Sequence, residues 1–265
     1  MRLHEAGPPH PYILLTNDDG VRAPGLLALA RSLKEHADVA IIAPEHEWSA
    51  AGHSKTMHKP LRVWTMKLAD SFPAMATSGS PSDCVALGLL GLLERKPDLV
   101  VSGINLGANL GHDLTYSGTV AAAMEGVIGG VPAIAASLDS YEADEYGTAA
   151  RFVACVAKRL LEARLEEPLL LNINVPALPR GDIRGVQITR LGRRLYRDAL
   201  IRRTDPRGKS YYWIGGEVPA GIPQTGTDIG ALAEGYISIT PILLDLTDYA
   251  KLPFLRTWDL TNSVP

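Results

Sequence analysis

Cysteine and long apolar runs are both scarce in this sequence, and each scarcity excludes a class of protein. Among its 265 residues are two cysteines, Cys84 and Cys155. Each lies in an apolar stretch typical of a helix, where a free thiol packs like a small hydrophobic group, so no disulfide or thiolate metal site is expected. The longest apolar run, residues 85 to 93, is too short to cross a bilayer. Since no secretory signal is recognisable at the start, the protein is predicted to be cytoplasmic and to bind no membrane.

An excess of positive charge is absent as well. The chain carries 26 lysines and arginines against 29 aspartates and glutamates, for a net charge of −3. It therefore lacks the positive field with which proteins hold a nucleic-acid backbone nonspecifically, and bulk nucleic acid is excluded as a partner. One segment departs from this balance, because residues 180 to 209 hold ten basic and three acidic side chains. Such a segment is typical of an anion-binding surface, a solvated arm or a subunit contact.

Several catalytic and nucleotide-binding motifs are missing too. No G-x-S-x-G segment that would carry a nucleophilic serine occurs. Neither G-x-G-x-x-G nor G-x-x-x-x-G-K-[ST] is present, and the glycines at 103, 107 and 111 recur at intervals of four instead. A nicotinamide-dependent reductase is disfavoured further, because Asp18 and Asp19 would repel the pyrophosphate of its cofactor at the end of the first strand.

The pattern that is present is a regular alternation of strands and helices. Residues 12 to 15 form a short apolar run without polar alternation, as in a strand buried on both faces of a parallel sheet. A helix over 26 to 36 and a second strand at 39 to 43 complete a βαβ unit. The alternation continues to residue 175 and predicts an α/β fold with a doubly wound, Rossmann-like, mostly parallel sheet. Further strands are predicted at 61–66, 99–102, 133–136 and 169–175, further helices at 81–94, 119–129 and 146–162, and a glycine-rich loop at 103–118.

Beyond residue 176 the sequence changes to short strand patterns, arginine-rich turns and frequent glycine and proline. We predict a core domain over residues 12–176 and a β-rich C-terminal extension over 177–265 that packs on it. A hairpin arm near 195–217 is expected to reach a neighbouring subunit. Strands of the extension are predicted at 185–190, 211–214 and 236–240.

Adjacent carboxylates follow the first predicted strand. Ligands of open α/β sheets bind beyond the carboxyl ends of the strands, which is where Asp18 and Asp19 are expected to lie. They suit a hard cation such as Mg²⁺ or Mn²⁺, which prefers oxygen ligands, and the amide oxygens of Asn105 and Asn109 suit the same cation. The competing interpretation is that one aspartate caps the next helix or forms a turn before Gly20.

Two predicted helices begin with hydroxyl side chains that either bind phosphate or only cap the helix. Ser80 precedes one of these helices, and Ser117, Gly118 and Thr119 lie at the start of the other. Backbone N–H groups at a helix start bind phosphate with help from the helix dipole, but Ser and Thr are also ordinary N-caps. The sequence leaves both interpretations open. In the glycine-rich loop, His112 is the candidate proton donor.

Four ordered blocks of sequence resemble a known family. They are ILLTNDDG at 13–20, AP at 43–44 through SAAG at 49–52, GSPSDCV at 79–85, and SGINLG at 102–107 through YSGTVAA at 116–122. Together they resemble the survival protein SurE family of metal-dependent 5′-nucleotidases. The resemblance implies a phosphohydrolase of nucleoside 5′-monophosphates that also accepts 3′-monophosphates and short polyphosphate. It also implies a swapped C-terminal arm that forms homodimers or homotetramers.

The resemblance further implies one divalent cation per subunit, Mg²⁺ or Mn²⁺, bound by Asp18, Asp19, Ser49 and Asn105. Asp18, Asp19 and Asn105 are then the expected catalytic residues for metal-assisted attack of water on a small phosphate monoester. Direct attack by an aspartate and a nucleotide-binding module without turnover remain as alternatives. The residues expected to bind the substrate phosphate are Asn17, Ser80, Gly107, Asn109, Ser117, Gly118 and Thr119.

Overall fold

The structure of the protein, a computed structural model, describes residues 10–143, 145–163, 165–195, 198–216, 220–258 and 260. The strands are β1 (Tyr12–Thr16), β2 (Asp38–Pro44), β3 (Val63–Lys67), β4 (Pro73–Thr77), β5 (Leu99–Leu106), β6 (Ala133–Asp139), β7 (Leu170–Pro176), β8 (Val186–Ile188), β9 (Arg194–Leu195), β10 (Asp198–Thr204), β11 (Ser210–Gly216), β12 (Ala220–Gly221) and β13 (Ile237–Ile242). The α-helices are α1 (Pro24–Leu33), α2 (Pro81–Leu87), α3 (Gly118–Ile128), α4 (Gly147–Glu162), α5 (Asp228–Ala233) and α6 (Leu252–Arg256).

A nine-stranded sheet organises the molecule, in the order β3-β4-β2-β1-β5-β6-β7-β13-β8. The six strands from β4 to β7 in this order are parallel to one another, whereas β3 and β13 run antiparallel to their neighbours β4 and β7. From β1 the chain continues to β2 and β4 on one side and to β5, β6 and β7 on the other. The strand order therefore reverses between β1 and β5, the position at which doubly wound sheets bind their ligands.

The two faces of the sheet are covered by different helices, and β1 shows why the first apolar run has no polar alternation. Ile13 and Leu15 belong to the hydrophobic core shared with α1 and α4, whereas Leu14 belongs to the core shared with α2 and α3. All three side chains are fully buried. A strand buried on both faces needs apolar side chains at every position, so the expected doubly wound, mostly parallel sheet is confirmed.

Three elements of the core differ from the sequence-based prediction. Strand β4 was not predicted, because its sequence PAMAT lacks a run of β-branched residues. The helix predicted at 81–94 ends as an α-helix at Leu87, and a π-helical turn follows in which Gly91 adopts a φ of +116°. The loop predicted at 103–118 begins later, since β5 continues to Leu106 and, after a register shift at residues 103 and 104, Asn105 and Leu106 pair with β6.

The C-terminal part is β-rich, as predicted, but two of its strands extend the main sheet. β13 pairs with β7, and β8 pairs with β13, so the division of the chain at residue 176 stays a prediction. β10 and β11 form a separate antiparallel hairpin inside the predicted arm; residues 196, 197 and 217 of that arm lie outside the described residues. The helices α5 and α6 were not predicted because each is too short to show a helical period. Among the described helices, none combines the length and apolar character needed to cross a bilayer.

Candidate metal and phosphate site

A cleft of about 340 Å³ opens at the carboxyl edge of the sheet, where the strand order reverses. It is bounded by the turn after β1, the segment after β2, the end of β5 and the start of α3. A hydrogen bond from the backbone N–H of Trp48 to the carbonyl oxygen of Asp18 (2.8 Å) joins the first two of these elements. The residues that line the cleft are Asp18, Ser49, Ala50, Asn105, Leu106, Asn109, Asp113, Tyr116 and Ser117.

Asp18 is a buried carboxylate at the floor of this cleft, with 6% of its surface exposed. The hydroxyl of Thr119, in the first turn of α3, donates a hydrogen bond to Asp18 Oδ1. Gly118 permits this close packing, because a Cβ atom there would lie 2.8 Å from Asp18 Cβ and 2.9 Å from Oδ2. Burial raises the pKa of Asp18 in spite of the hydrogen bond from Thr119. A carboxylate in this state is stabilised by a cation at its free oxygen.

The pKa of Asp19 is raised as well. Burial, followed by the neighbouring Asp18 carboxylate, raises the pKa of Asp19 to about 7, although a hydrogen bond from the Leu106 backbone lowers it in part. No lysine or arginine among the described residues forms an ion pair with either aspartate. A buried and a partly buried carboxylate therefore lie side by side without a positive counter-charge from the described residues, an arrangement that favours a bound cation.

Neutral oxygen atoms complete the donor set. The side-chain amide of Asn105 donates from Nδ2 to the carbonyl oxygen of Gly107 (2.7 Å), which leaves Oδ1 as the acceptor for a ligand. The exposed hydroxyl of Ser49 donates to a carboxylate oxygen of Glu47, so its lone pairs are free. Two carboxylates, an amide oxygen and a hydroxyl fit Mg²⁺ or Mn²⁺. Over the described ranges, no group of three or more His, Cys, Asp and Glu side chains could hold a metal.

The start of α3 faces the same cleft and offers anion-binding groups. Ser117 is the N-cap of α3, and its hydroxyl oxygen accepts a hydrogen bond from the backbone N–H of Val120 (3.1 Å). The helix has 11 residues, so its aligned peptide dipoles place partial positive charge at Gly118 and Thr119. In this first turn the N–H of Val120 bonds to Ser117 and that of Thr119 to the Asp18 carboxylate, so the N–H of Gly118 is the candidate donor to a phosphoryl oxygen.

Comparison with known proteins identifies relatives of this chain. The family described as "Survival protein SurE" matches residues 13–198. The 5′-nucleotidase SurE of Chloroflexus aggregans is 53% identical over 252 residues, which cover 94% of this chain and 99% of that protein. This chain belongs to the SurE family. The 5′-nucleotidase SurE of Geobacter sulfurreducens is 48% identical over 254 residues, covering 96% and 95% of the two chains.

A solved structure gives the same result at the level of the fold. The crystal structure of the SurE protein from Aquifex aeolicus matches with a TM-score of 0.79 and 40% sequence identity, covering 93% of this chain and 98% of that one. The SurE resemblance found in the four sequence blocks is therefore confirmed, and the α/β fold that it implied is confirmed with it.

In this SurE-family chain, four of the seven residues predicted to bind phosphate lie in or beside the cleft, and the other three have structural roles or lie elsewhere. Asn109 and Ser117 line the cleft, and Gly118 and Thr119 lie against Asp18 behind it. Asn17 is fully buried with its Nδ2 bound to the carbonyl oxygen of Gly20, where it stabilises the turn that carries the aspartates. The remaining two are Ser80, which does not line the cleft, and Gly107, whose backbone N–H donates to Leu138 on β6.

Ser80 is the N-cap of α2, and its side chain is fully hydrogen-bonded within the protein. Its hydroxyl oxygen accepts from the backbone N–H of Asp83 (3.2 Å), and the Asp83 carboxylate accepts in return from the backbone N–H of Ser80 (2.8 Å). The hydroxyl hydrogen is also used, in a bond to the carbonyl oxygen of Ser54 (2.8 Å). This capping box leaves the Ser80 side chain with no free donor for a phosphate.

Sequence reasoning missed the network that holds Asn109. The backbone N–H of Asn109 donates to Asn174 Oδ1 (2.8 Å), and its side chain donates to the Ser137 hydroxyl (2.8 Å). The Asn109 carbonyl oxygen accepts from the amides of Asn172 and Asn174. Two asparagines on alternate positions of a buried strand were the available signal, since buried polar side chains require partners.

The C-terminal extension also reaches the cleft, which the sequence indicated only as a basic segment. Arg194 on β9 is nearly buried and forms an ion pair of 2.8 Å with Asp113, one of the cleft residues. Burial raises the pKa of Asp113, and Arg194 opposes that shift. The candidate proton donor His112 is exposed and is not among the residues that line the cleft.

Proposed function

We propose that this chain is a metal-dependent 5′-nucleotidase that releases phosphate from nucleoside 5′-monophosphates. The observation that carries the proposal is a pair of adjacent carboxylates at the end of β1. Asp18 is buried and packs against the start of α3, Asp19 is partly buried, and neither forms an ion pair with a lysine or arginine of the described residues. A cation and a phosphate monoester placed side by side would satisfy both the carboxylates and the helix. The SurE relatives described above carry the name 5′-nucleotidase.

The cation would be held by Asp18, Asp19, Ser49 and Asn105, one Mg²⁺ or Mn²⁺ per subunit. A bound cation of this kind polarises a phosphoryl oxygen and lowers the pKa of a coordinated water. The protein's own part is to arrange the groups around it. Thr119 orients Asp18 through its hydrogen bond, and the bond from Asn105 to Gly107 directs the amide oxygen of Asn105.

The substrate phosphate would be bound by the first turn of α3 and by Asn109. Ser117 and Asn109 line the cleft beside Asp18, and the network around Asn109 holds it on β6 and β7. Positioning of this kind is the main contribution of a protein to phosphoryl transfer.

Attack by water is preferred over attack by an aspartate. Asp18 is nearly fully buried, and its Oδ1 is occupied by the Thr119 hydroxyl, so this oxygen is poorly placed to form a bond to phosphorus. The alternative function, a nucleotide-binding module without turnover, would use the same groups to hold a nucleotide and would release no phosphate.

The arm is proposed to join subunits into homodimers or homotetramers. The hairpin β10–β11 exposes Leu200, Trp213 and Ile214 at 71%, 62% and 85% of their surfaces. A two-stranded hairpin with apolar side chains in water is only marginally stable, so contact with another subunit would stabilise it. Deletion of residues 195–217 should then lower the mass measured by light scattering, and an unchanged mass would exclude this role.

The test of the function is a phosphate-release assay. The panel contains nucleoside 5′- and 3′-monophosphates, a sugar phosphate and short polyphosphate, each with Mg²⁺, Mn²⁺ or EDTA. We expect metal-dependent release that is greatest with 5′-monophosphates and is abolished by EDTA. Binding of a nucleotide without release from any substrate would favour the binding module instead. The scarcity of cysteine supports a cytoplasmic location for this activity.

A further inference from the structure

Glu125 is a buried carboxylate outside the proposed cation site. It lies on α3, in the C-terminal half of that helix, and 5% of its surface is exposed. The position disfavours an ionised carboxylate for two reasons. Burial removes the charge from water, and the C-terminal part of a helix carries partial negative charge. A carboxylate in such a place requires cationic partners.

Both partners come from the stretch that carries Ser49, residues 45 to 58, called here the Ser49 segment. Lys55 Nζ lies 2.6 Å from Glu125 Oε1, and His53 Nε2 lies 3.1 Å from Oε2. Each carboxylate oxygen therefore has its own partner. His53 and Lys55 are two residues apart, and their side chains contact the Glu125 carboxylate together.

The Ser49 segment has little structure of its own to hold it. Between Pro44, the end of β2, and Val63, the start of β3, the chain forms no helix or strand. A long irregular segment keeps one conformation only through contacts with the rest of the molecule. Near Ser49 those contacts are single backbone hydrogen bonds, from Trp48 to Asp18 (2.8 Å) and from Gly52 to Tyr116 (3.0 Å). Further along, the Ser54 carbonyl accepts from Ser80 and Thr56 donates to Asp83, both at the start of α2, so Glu125 provides the contact of the segment with α3.

We propose that Glu125 is a positioning residue that clamps the Ser49 segment onto α3 through Lys55 and His53. The clamp holds the Ser49 hydroxyl in the same cleft as Asp18 and the start of α3. The helix α3 then contributes to the site twice. Its first turn carries the proposed phosphate-binding groups, and Glu125, two turns later, holds the segment that carries Ser49. The inference rests on the proposed function, because it assigns to Glu125 the placement of a proposed cation ligand.

The test is a double-mutant cycle on cation affinity, measured by calorimetric titration with Mn²⁺. The variants are Glu125→Gln, which keeps the shape of the side chain, Ser49→Ala, and the two combined. Loss of an outer residue that orients a ligand typically weakens metal binding 10- to 100-fold, and we expect about 10-fold for Glu125→Gln. If Glu125 acts through Ser49, the double variant binds Mn²⁺ no more weakly than Ser49→Ala alone.

Two further measurements separate positioning from a general loss of stability. In Glu125→Gln, the Mn²⁺ concentration for half-maximal phosphate release should rise about 10-fold, while kcat at saturating Mn²⁺ stays within about twofold. Backbone amides of residues 45–58 should exchange hydrogen faster than in the wild type. Glu142→Gln, at an exposed carboxylate, is the matched control. Lys55→Met removes the opposite partner at a half-exposed position and should reproduce the effect if Glu125→Gln fails to fold.

Unchanged Mn²⁺ affinity in both Glu125→Gln and Lys55→Met, or full additivity of Glu125→Gln with Ser49→Ala, would refute the clamp. A wild-type chain that neither binds Mn²⁺ nor releases phosphate would refute the proposed function itself. The two failures are distinguishable, because the first is observed in a wild-type enzyme that binds metal and turns over.

Discussion

The helices α2 and α3 begin alike in sequence and differ in what lies opposite them. Each has a serine N-cap whose hydroxyl accepts from a backbone N–H three residues later. At α2 the group that faces the cap is Asp83 of the same turn, and hydrogen bonds within the protein use all of these polar atoms. At α3 the group is Asp18, which lies at the end of β1, far away in the sequence, and packs directly on Gly118 and Thr119. A serine cap therefore identifies a helix start, and the element opposite it decides between a structural and a chemical role.

The carboxylates at the two helix starts have pKa values shifted in opposite directions. Burial acts to raise the pKa of Asp83, but hydrogen bonds from Thr56 and Ser80 outweigh it and leave the pKa below its usual value. Burial also raises the pKa of Asp18 and of Asp19, and there the hydrogen bonds do not compensate. The Asp83 carboxylate at the start of α2 is thus stabilised by hydrogen bonds within the protein. The Asp18 and Asp19 carboxylates near the start of α3 are not stabilised enough to offset burial, and a bound cation would stabilise their charge.

The largest expected effect is on the α3 side. Asp18→Asn removes a charge from the proposed cation site, and we expect phosphate release to fall by at least about 10²-fold because charge stabilisation by the cation is lost. Since the neutral amide is easier to bury than the carboxylate, the metal-free variant should unfold at the same urea concentration as wild type or a higher one. Phosphate release and urea unfolding measure the two quantities. Full activity in Asp18→Asn would place the chemistry elsewhere.

A steric change should have the next largest effect. In Gly118→Ala the new Cβ would lie 2.8 Å from Asp18 Cβ, and displacement of Asp18 by a fraction of an ångström is expected to lower kcat/KM by about 10- to 100-fold. The control is Gly181→Ala, where a Cβ would meet no atom within 4 Å. Equal activity of the two variants would show that the contact between Asp18 and α3 does not matter for turnover.

On the α2 side the expected effect is on stability. The Asp83 carboxylate accepts hydrogen bonds from Ser80 and from the backbone and side chain of Thr56. Asp83→Ala leaves these donors unpaired and should lower the free energy of unfolding by about 2–3 kcal/mol. Urea unfolding measures the loss, with the exposed Asp182→Ala as control. A loss below about 0.5 kcal/mol would contradict the view that α2 depends on this box.

The smallest effect expected is a pH dependence of opposite sign at the two helix starts. In metal-free protein the Asp19 pKa is raised from 3.8 to about 7, so the native state binds more protons than the unfolded state between about pH 4 and 7. Stability then falls as pH rises through this window. The lowered pKa of Asp83 acts only near and below its usual range, where stability falls as pH drops.

Urea unfolding with EDTA between pH 4 and 8 tests this dependence. Asp19→Asn should flatten the decline between pH 4 and 7, and saturating Mn²⁺ should reverse it, because the cation competes with the proton for the carboxylate. A metal-free stability that does not change between pH 4 and 7 would show that Asp19 is ionised without a cation.

Much of the core could be predicted because its signals are local. The apolar run of β1 and the serine caps of α2 and α3 are set by residues within a few positions of one another. The strand β4 could not be predicted, since its short PAMAT sequence becomes a strand only when β2 and β3 pair with it. The candidate site was predicted for Asp18, Asp19 and Asn105 from strand ends. Ser49 came from the SurE resemblance, because a hydroxyl in an irregular segment carries no signal of its own.

The sequence by itself determined the alternation of strands and helices, the two adjacent carboxylates after β1 and the family to which the chain belongs. Only the tertiary structure decided that Ser80 is occupied as a cap, that Asn109 is held by Asn172 and Asn174, and that Glu125 binds the segment of Ser49. The reason is physical. Periodicity and capping depend on neighbours along the chain, whereas the pKa and the free hydrogen-bonding atoms of a side chain depend on groups that folding brings from distant positions.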